Sequence, residues 1–243
     1  DVWQRGTSFA LSSSTKTYTA DRWACYRAAT GCTVSRQTGP TGQAYAMRVQ
    51  RDSGNASTTA ITAYHALESL DSYKFAGQTA YLKLTMKAGA NFSAASSSVT
   101  VKVTYGTGTD EAPTASWTGT TDALSTSQVI TTTSTSYDFD SISIPSSATQ
   151  VKVSVSFTPV GTASTNDWVE ISAAQLSVNP APTYERLSYN ETLRLCQRYY
   201  QTGLGYWYGQ VTTGTTHGST LPLPVAMRIT PTMAFTNVFN TAF

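Results

Sequence analysis

The chain of 243 residues is 40% hydrophobic but only 12% charged, against roughly 25% charged in an average globular protein. Its formal net charge of +2, without basic runs, excludes the electrostatic footprint of a nucleic-acid binder. No apolar stretch approaches the roughly 18 residues that a membrane-spanning helix needs, and no signal-peptide pattern opens the chain.

Thr, Ser, Val and Tyr are abundant where Lys, Glu and Leu are sparse. That balance favours strands, because β-branched and aromatic side chains suit a pleated, half-buried surface. In chain order, Cys25 and Cys32 flank Gly31, where they either approach across a short hairpin or remain buried thiols. Cys196 makes the cysteine count odd, so no complete disulfide framework is implied, and the two distant histidines, His65 and His217, give no zinc spacing. Tyr45, Met47 and Val49 alternate with polar neighbours between the turn-rich segments 39–42 and 52–55. Ala60 to Leu70 is predicted as a helix. Val99, Val101, Val103 and Tyr105 form the next alternation, and after the turn-rich segment 106–113 come Ile142 and Ile144, then Val151, Val153, Val155 and Phe157. Each is a half-buried strand with one core face and one polar face.

Trp168 through Val178 reads as a closing strand, and Asn179-Pro180-Ala181-Pro182 ends it, because two prolines this close cannot continue a ladder. A short helix is predicted from Tyr189 to Tyr200 with Asn190 as its N-cap, followed by a Gly/Thr/Tyr-rich stretch from Gly203 to Gly218. The organisation expected is an antiparallel β-sandwich over residues 1–178, a Pro-containing linker over 179–190, and the start of a second, incomplete β module over 191–243. A chain that opens on Asp1 and stops inside the apolar run from Met233 to Phe243 is expected to be a piece of a longer protein.

Particular blocks of sequence then narrow the class. VWQRGTSF (2–9), YTADRW (18–23), TVSRQ (33–37), RVQRDSGNASTTAIT (48–62), AGANFSAASS (88–97), SFTPVGTASTNDWVEI (156–171), YERLSYNETLRLCQRYY (184–200) and PVAMRITPT (224–232) occur in that order. Together they resemble a domain of bacteriophage and prophage tail-fibre proteins, with head-attached spikes as a related setting; Cys32 departs from the pattern. The resemblance implies a jelly-roll domain similar to carbohydrate-binding modules, carried on a virion. It implies other virion proteins and a homotrimer as partners, and bacterial surface polysaccharide as ligand. On this reading the sequons at Asn55, Asn91 and Asn190 carry no glycan.

Sugar binding uses flat aromatic faces rimmed by donors and acceptors. Tyr206, Trp207 and Tyr208, set between Gly205 and Gly209, are the first candidate platform, or else they fill the core or an interface of the C-terminal module. Trp117, in the loop 113–119, is the second, or else a structural residue of that loop. Trp3, Trp23 and Trp168 sit beside strand patterns and are expected as core or staple residues. By resemblance Glu170 is where a structural calcium ligand would stand, with Asp167, Asp138 and Asp140 as further carboxylates. Calcium needs six to eight oxygens, however, and no Asp-rich loop is present, so solvated charge is the reading preferred and no cofactor is expected. Asp138 and Asp140 share a strand face at a spacing a glycosidase pair would use, but no Asp or Glu follows Glu191. Neither histidine accompanies a nucleophile elbow or a metalloprotease motif. The expected function is therefore non-enzymatic adsorption to polysaccharide, with a structural spacer as the alternative and a depolymerase as the third.

Overall fold

The computed structural model describes residues 2–114, 116–178, 184–202 and 223–234. The chain forms β1 (Ser8–Ala10), β2 (Thr17–Tyr18), β3 (Trp23–Arg27), β4 (Cys32–Thr38), β5 (Tyr45–Arg51) and β6 (Ile61–Ala66), then a one-turn helix α1 (Ser69–Ser72). β7 (Thr79–Ala88), β8 (Ser98–Gly106), β9 (Thr121–Val129), β10 (Thr135–Ser143), β11 (Gln150–Phe157) and β12 (Trp168–Val178) follow, and then α2 (Tyr189–Gln197). Two six-stranded sheets result. Sheet 1 runs β1-β4-β5-β12-β7-β10 and sheet 2 runs β2-β3-β6-β11-β8-β9, with antiparallel pairing throughout. Successive strands cross repeatedly from one sheet to the other, which is the jelly-roll arrangement. The all-β sandwich expected from the alternation is the observed fold.

The core lies between the sheets and is built from the alternating positions. Val101 pairs with Val155 and Val103 with Val153 in sheet 2, and Val49 pairs with Val169 in sheet 1. All six are buried, and each such side chain contributes about 1.5–3 kcal/mol on leaving water. Cys25 of sheet 2 and Cys32 of sheet 1 belong to this core, and neither they nor Cys196 form a disulfide. Burial pushes the Cys25 thiol up to about 12 and raises Cys32 as well.

One end of the sandwich is held by two fully buried arginines. Arg51, at the end of β5, donates from Nε to Asp167 Oδ2 at 2.8 Å, and neither side chain is exposed. Its other nitrogens donate to the carbonyl oxygens of Ser57, Gly161 and Val160 and to Ser93 Oγ. Asp167 in turn accepts from Ser93 N and Ser93 Oγ, each at 2.9 Å. Arg27, at the end of β3, donates to the carbonyl oxygens of Thr30, Gly31, Ser57 and Thr59 and to Asn55 Oδ1. Gly31 sits at φ +79° against Asn55, where any Cβ would collide with the amide. These loops therefore form one hydrogen-bonded cap with every donor of the two guanidinium groups engaged.

Two helix expectations change. Residues 61–66 of the predicted Ala60–Leu70 helix form β6, because Ile61 and Ala63 point into the core while the strand is paired on both sides, by β3 and β11. Tertiary pairing there overrides an alanine-rich local sequence, and only α1 remains helical. The second helix is present as α2, but its N-cap is Ser188 rather than Asn190. Ser188 Oγ accepts from Glu191 N, and the Glu191 carboxylate accepts from Ser188 N, a reciprocal capping box.

Beyond Val178 the described residues contain no strand. Residues 203–222 and 235–243, where most of the second β module is expected, lie outside them, as do residues 179–183 of the linker. What is described after the linker is bound to the sandwich. Arg198 makes a two-pronged pair with Glu68, Nε to Oε1 at 2.8 Å and Nη2 to Oε2 at 2.6 Å. Arg5 donates to Tyr199 O and lies over the rings of Tyr18 and Tyr200. Arg228 donates to Asp110 O, and Cys196 is fully buried.

The cap predicts a steep and charge-dependent loss of stability. Asp167→Ala leaves Arg51 buried without its counterion and is expected to cost about 3–5 kcal/mol in urea denaturation. Asp167→Asn keeps an acceptor for Arg51 and Ser93 and is expected to cost clearly less. Equal losses in the two variants would show that the charge, which both remove, holds this end rather than the shape and acceptor that Asn keeps.

Candidate functional site

The outward face of sheet 1 is defined by register. On β7, Ala80, Leu82, Leu84 and Met86 enter the core, so Tyr81, Lys83, Thr85 and Lys87 face away from it. Ser172 lies opposite Thr85 and Gln175 opposite Lys83 on β12, with a bulge between them, while Ser136 and Asp138 flank the same residues on β10. Ala173 takes up that bulge at φ +46°. One row along, Glu170 stands between Lys87 of β7 and Arg48 of β5.

A groove of about 410 Å³ opens on this face. Its floor is Lys83, Thr85, Ser136 and Ala173, and the β4–β5 hairpin forms one wall through Pro40, Thr41 and Gln43. Tyr184 supplies an aromatic ring, and the backbone following it is anchored where Glu185 N donates to Gln175 Oε1 at 2.9 Å. The lining combines one half-buried ring with hydroxyl, amide and ammonium groups. That is the chemistry a sugar ring needs, an apolar face to stack on and donors and acceptors for its hydroxyls. The only sequence signal for this face is the polar half of the β7 alternation; nothing local connects it to residue 40, 134 or 184.

Of the residues singled out from sequence, Trp117 is only 3% exposed. The ring is enclosed, as in the structural alternative for that loop: its indole N–H donates to Ala112 O at 3.0 Å and the Lys152 ammonium lies 4.3 Å from its ring centroid. Lys152 also donates to Pro113 O, and Glu111 accepts from Thr118 N, Thr118 Oγ1 and Gln150 Nε2. Those bonds, led by the Thr118 N–H, hold the Glu111 carboxyl below its ordinary range, while burial lowers Lys152. Trp117 thus pins the β8–β9 loop over the outer face of sheet 2. Tyr206, Trp207 and Tyr208 lie outside the described residues, and so does His217.

Trp23 stacks on His65 with centroids 5.3 Å apart, Trp3 on Phe9 at 6.2 Å. Trp168 is 7% exposed beneath Arg48, whose guanidinium lies 4.1 Å from its ring centroid. These are staple positions. The four carboxylates considered for calcium are engaged otherwise or apart. Asp167 holds Arg51, Glu170 accepts from Arg48 Nη2 at 2.6 Å, and Asp138 meets Lys83 Nζ at 3.1 Å. Asp140 falls at the β10 bulge, out of step with Asp138, so the two do not form a facing pair. Among the described residues no three His, Cys, Asp or Glu side chains cluster as metal ligands, and no helix is long and apolar enough to cross a membrane.

A second, smaller cavity of about 190 Å³ lies where α2 meets the sandwich, lined by His65, Arg22, Glu68, Asp71, Lys74 and Tyr199 among others. Burial first, and then the Arg22 guanidinium, hold His65 well below the ordinary imidazole range. Burial also raises the Tyr199 phenol, whose hydroxyl donates to Ala66 O at 3.3 Å. The cavity is part of the seam that fastens the C-terminal segment.

No family model matches the chain, and no curated protein matches it in sequence. Solved structures do resemble it. The enzymatically active domain of tailspike protein 4 from bacteriophage CBA120 is 10% identical with a TM-score of 0.43, the match covering 65% of this chain and 19% of that one. A family 4 carbohydrate-binding module is 16% identical with a TM-score of 0.43, over 65% of this chain and 88% of the module. A family 22 xylan-binding domain is 16% identical with a TM-score of 0.44, over 74% and 99%. At such identities and scores the likeness transfers no residue role and no ligand.

Two outcomes follow for these groups. Trp117→Ala is expected to destabilise the protein by about 3–5 kcal/mol, as for other buried aromatics, seen as a lower urea midpoint and faster proteolysis of the β8–β9 loop. His65, neutral when folded and with a lowered pKa, binds protons more readily when unfolded. Its contribution to stability is complete above the ordinary value of 6.5 and is lost as pH falls below it. The thermal midpoint is expected to drop between about pH 7 and pH 5, and His65→Phe, which keeps the stack on Trp23, is expected to flatten that drop; an unchanged slope would exclude His65 as its source.

Proposed function

We propose that the protein is a non-enzymatic carbohydrate-binding module that adsorbs a phage-type virion appendage to bacterial surface polysaccharide. The observation that carries the binding part is the groove on sheet 1, lined by Tyr184 together with hydroxyl and amide side chains on a floor of paired strands. The support for a virion setting is the ordered set of sequence blocks that resemble tail-fibre domains. A bound glycan chain runs over Lys83, Thr85 and Ser136, stacks one ring on Tyr184 and exchanges hydroxyl hydrogen bonds with Gln43 and Thr41. Each site of this kind is weak, and several copies on one particle convert weak contacts into firm attachment through effective concentration. Asp138 is paired with Lys83 and serves to position that ammonium rather than as an acid catalyst.

A structural role has its own support in the seam between the sandwich and the C-terminal segment. Arg5, Glu68, Asp110, Arg198 and Arg228 tie the two together, an arrangement suited to transmitting load along a fibre. Both roles fit one molecule, because the seam and the groove use different residues.

The deciding experiment is titration of purified host surface polysaccharides into the wild-type chain, Tyr184→Ala and Trp207→Ala. Tyr184→Ala is expected to weaken binding at least tenfold, about the 1–2 kcal/mol that a single stacked ring contributes, with the fold intact. Full binding by Tyr184→Ala together with loss in Trp207→Ala would move the site to the C-terminal aromatic cluster. Absence of binding by the wild type to every host glycan would leave only the structural role.

A further inference from the structure

We infer that the outer face of sheet 1 selects glycans carrying anionic groups, carboxylate or phosphate, through Lys83 in the groove and Lys87 in the row beside it; this rests on the carbohydrate-binding reading of the same face. The charges along this face do not balance. Lys83 and its partner Asp138 border the groove, and the row beside it, outside the groove's lining, carries the cations Lys87 and Arg48 and the anion Glu170. Glu170 is committed to Arg48, accepting from Nε at 3.0 Å and Nη2 at 2.6 Å. Asp138 meets Lys83 at 3.1 Å, but its side chain is 49% exposed, and an ion pair that open is weak and exchanges readily with another anion. Among the described residues Lys87 has no carboxylate within ion-pair distance; its ammonium lies 5.7 Å from the Trp168 ring centroid. Glu185 and Arg186, next to Tyr184, offset one another.

The geometry gives these lysines a shared direction. Lys83, Thr85 and Lys87 occupy successive outward positions on β7, so the two ammonium-bearing residues are about 13 Å apart along the strand. That span matches two to three sugar units laid along the groove, with Thr85 between the charges as a hydroxyl partner. A neutral glycan would leave Lys87 facing apolar carbon or water. A uronate or a phosphodiester places an anion there, beside a Glu170 carboxylate whose Oε1 is already engaged by Arg48. The Trp168 indole beneath Lys87 and Arg48 is nearly buried and adds a low-dielectric floor that strengthens the contact.

The test uses the full chain with three probes: polygalacturonate, its methyl ester, and a poly(glycerol phosphate). The acidic polymers are expected to bind at least tenfold more tightly than the ester in low salt, an advantage that shrinks in high salt. Lys87→Gln is expected to weaken acidic binding about fivefold, the size of one partly exposed ion pair, without changing the ester, and Lys83→Gln to weaken acidic binding by at least as much. Binding of the carboxylate polymer but not the phosphate polymer, or the reverse, identifies which anion the lysines take. Equal affinity for acid and ester, unaffected by Lys87→Gln but lost in Tyr184→Ala, would overturn the charge selection and leave the carbohydrate reading standing. Binding of none of the three probes, together with none of the host glycans, would overturn both.

Discussion

The pair formed by Arg51 and Asp167 is the constraint around which the rest of the sandwich is arranged. Two opposite charges withdrawn wholly from water cost several kcal/mol each unless every hydrogen-bonding position is filled. The chain fills them with carbonyl oxygens from the β5–β6 and β11–β12 loops and with donors from the β7–β8 loop. Arg27 shares the Ser57 carbonyl with Arg51 and adds the β3–β4 loop to the same network. Four connections are thereby fixed at one end, which sets where β5, β7 and β12 end or begin. Their mutual register is what lays out the outward row of Lys83, Thr85 and Lys87. The groove's own wall, the hairpin at Pro40, stands at the opposite end of β5 and is free to vary without disturbing that network.

The two outer faces of the sandwich are treated differently, and the difference decides where a ligand can sit. On sheet 2 the β8–β9 loop lies across the strands, pinned by Trp117, Lys152 and Glu111, so that even outward-pointing Lys152 and Ser154 are buried. On sheet 1 no described loop crosses the centre of the face, and Lys83, Thr85 and Ser136 line an open groove. Trp117, the second of the sugar-platform candidates, therefore closes one face, while the open face relies on Tyr184.

How much of this was legible in the sequence depended on the range of the interaction. The alternations at Val99–Tyr105, Val151–Phe157 and Trp168–Val178 report a local period, and the sandwich follows from them directly. Residues 61–66 were misread as helix because alanine, tyrosine and histidine carry little β signal of their own; pairing with β3 and β11 decides their state. Asp167 and Glu170 were read as solvated charge, with calcium as the alternative, because their arginine partners lie more than a hundred residues earlier in the chain. Trp117 had a loop's local sequence, and only Lys152, on a distant strand, shows what covers it. The groove gathers residues near 40, 83, 134, 173 and 184, a set that exists only once the register of four strands is known.

Cys25 and Cys32 face the interior from opposite sheets with their thiols raised by burial. Oxidation and disulfide exchange proceed through the thiolate, a form these residues scarcely adopt at neutral pH. Among the described residues the sandwich holds no disulfide to lose in a reducing medium. The sandwich therefore rests on packing alone at these two positions, and its core is complete with both thiols reduced.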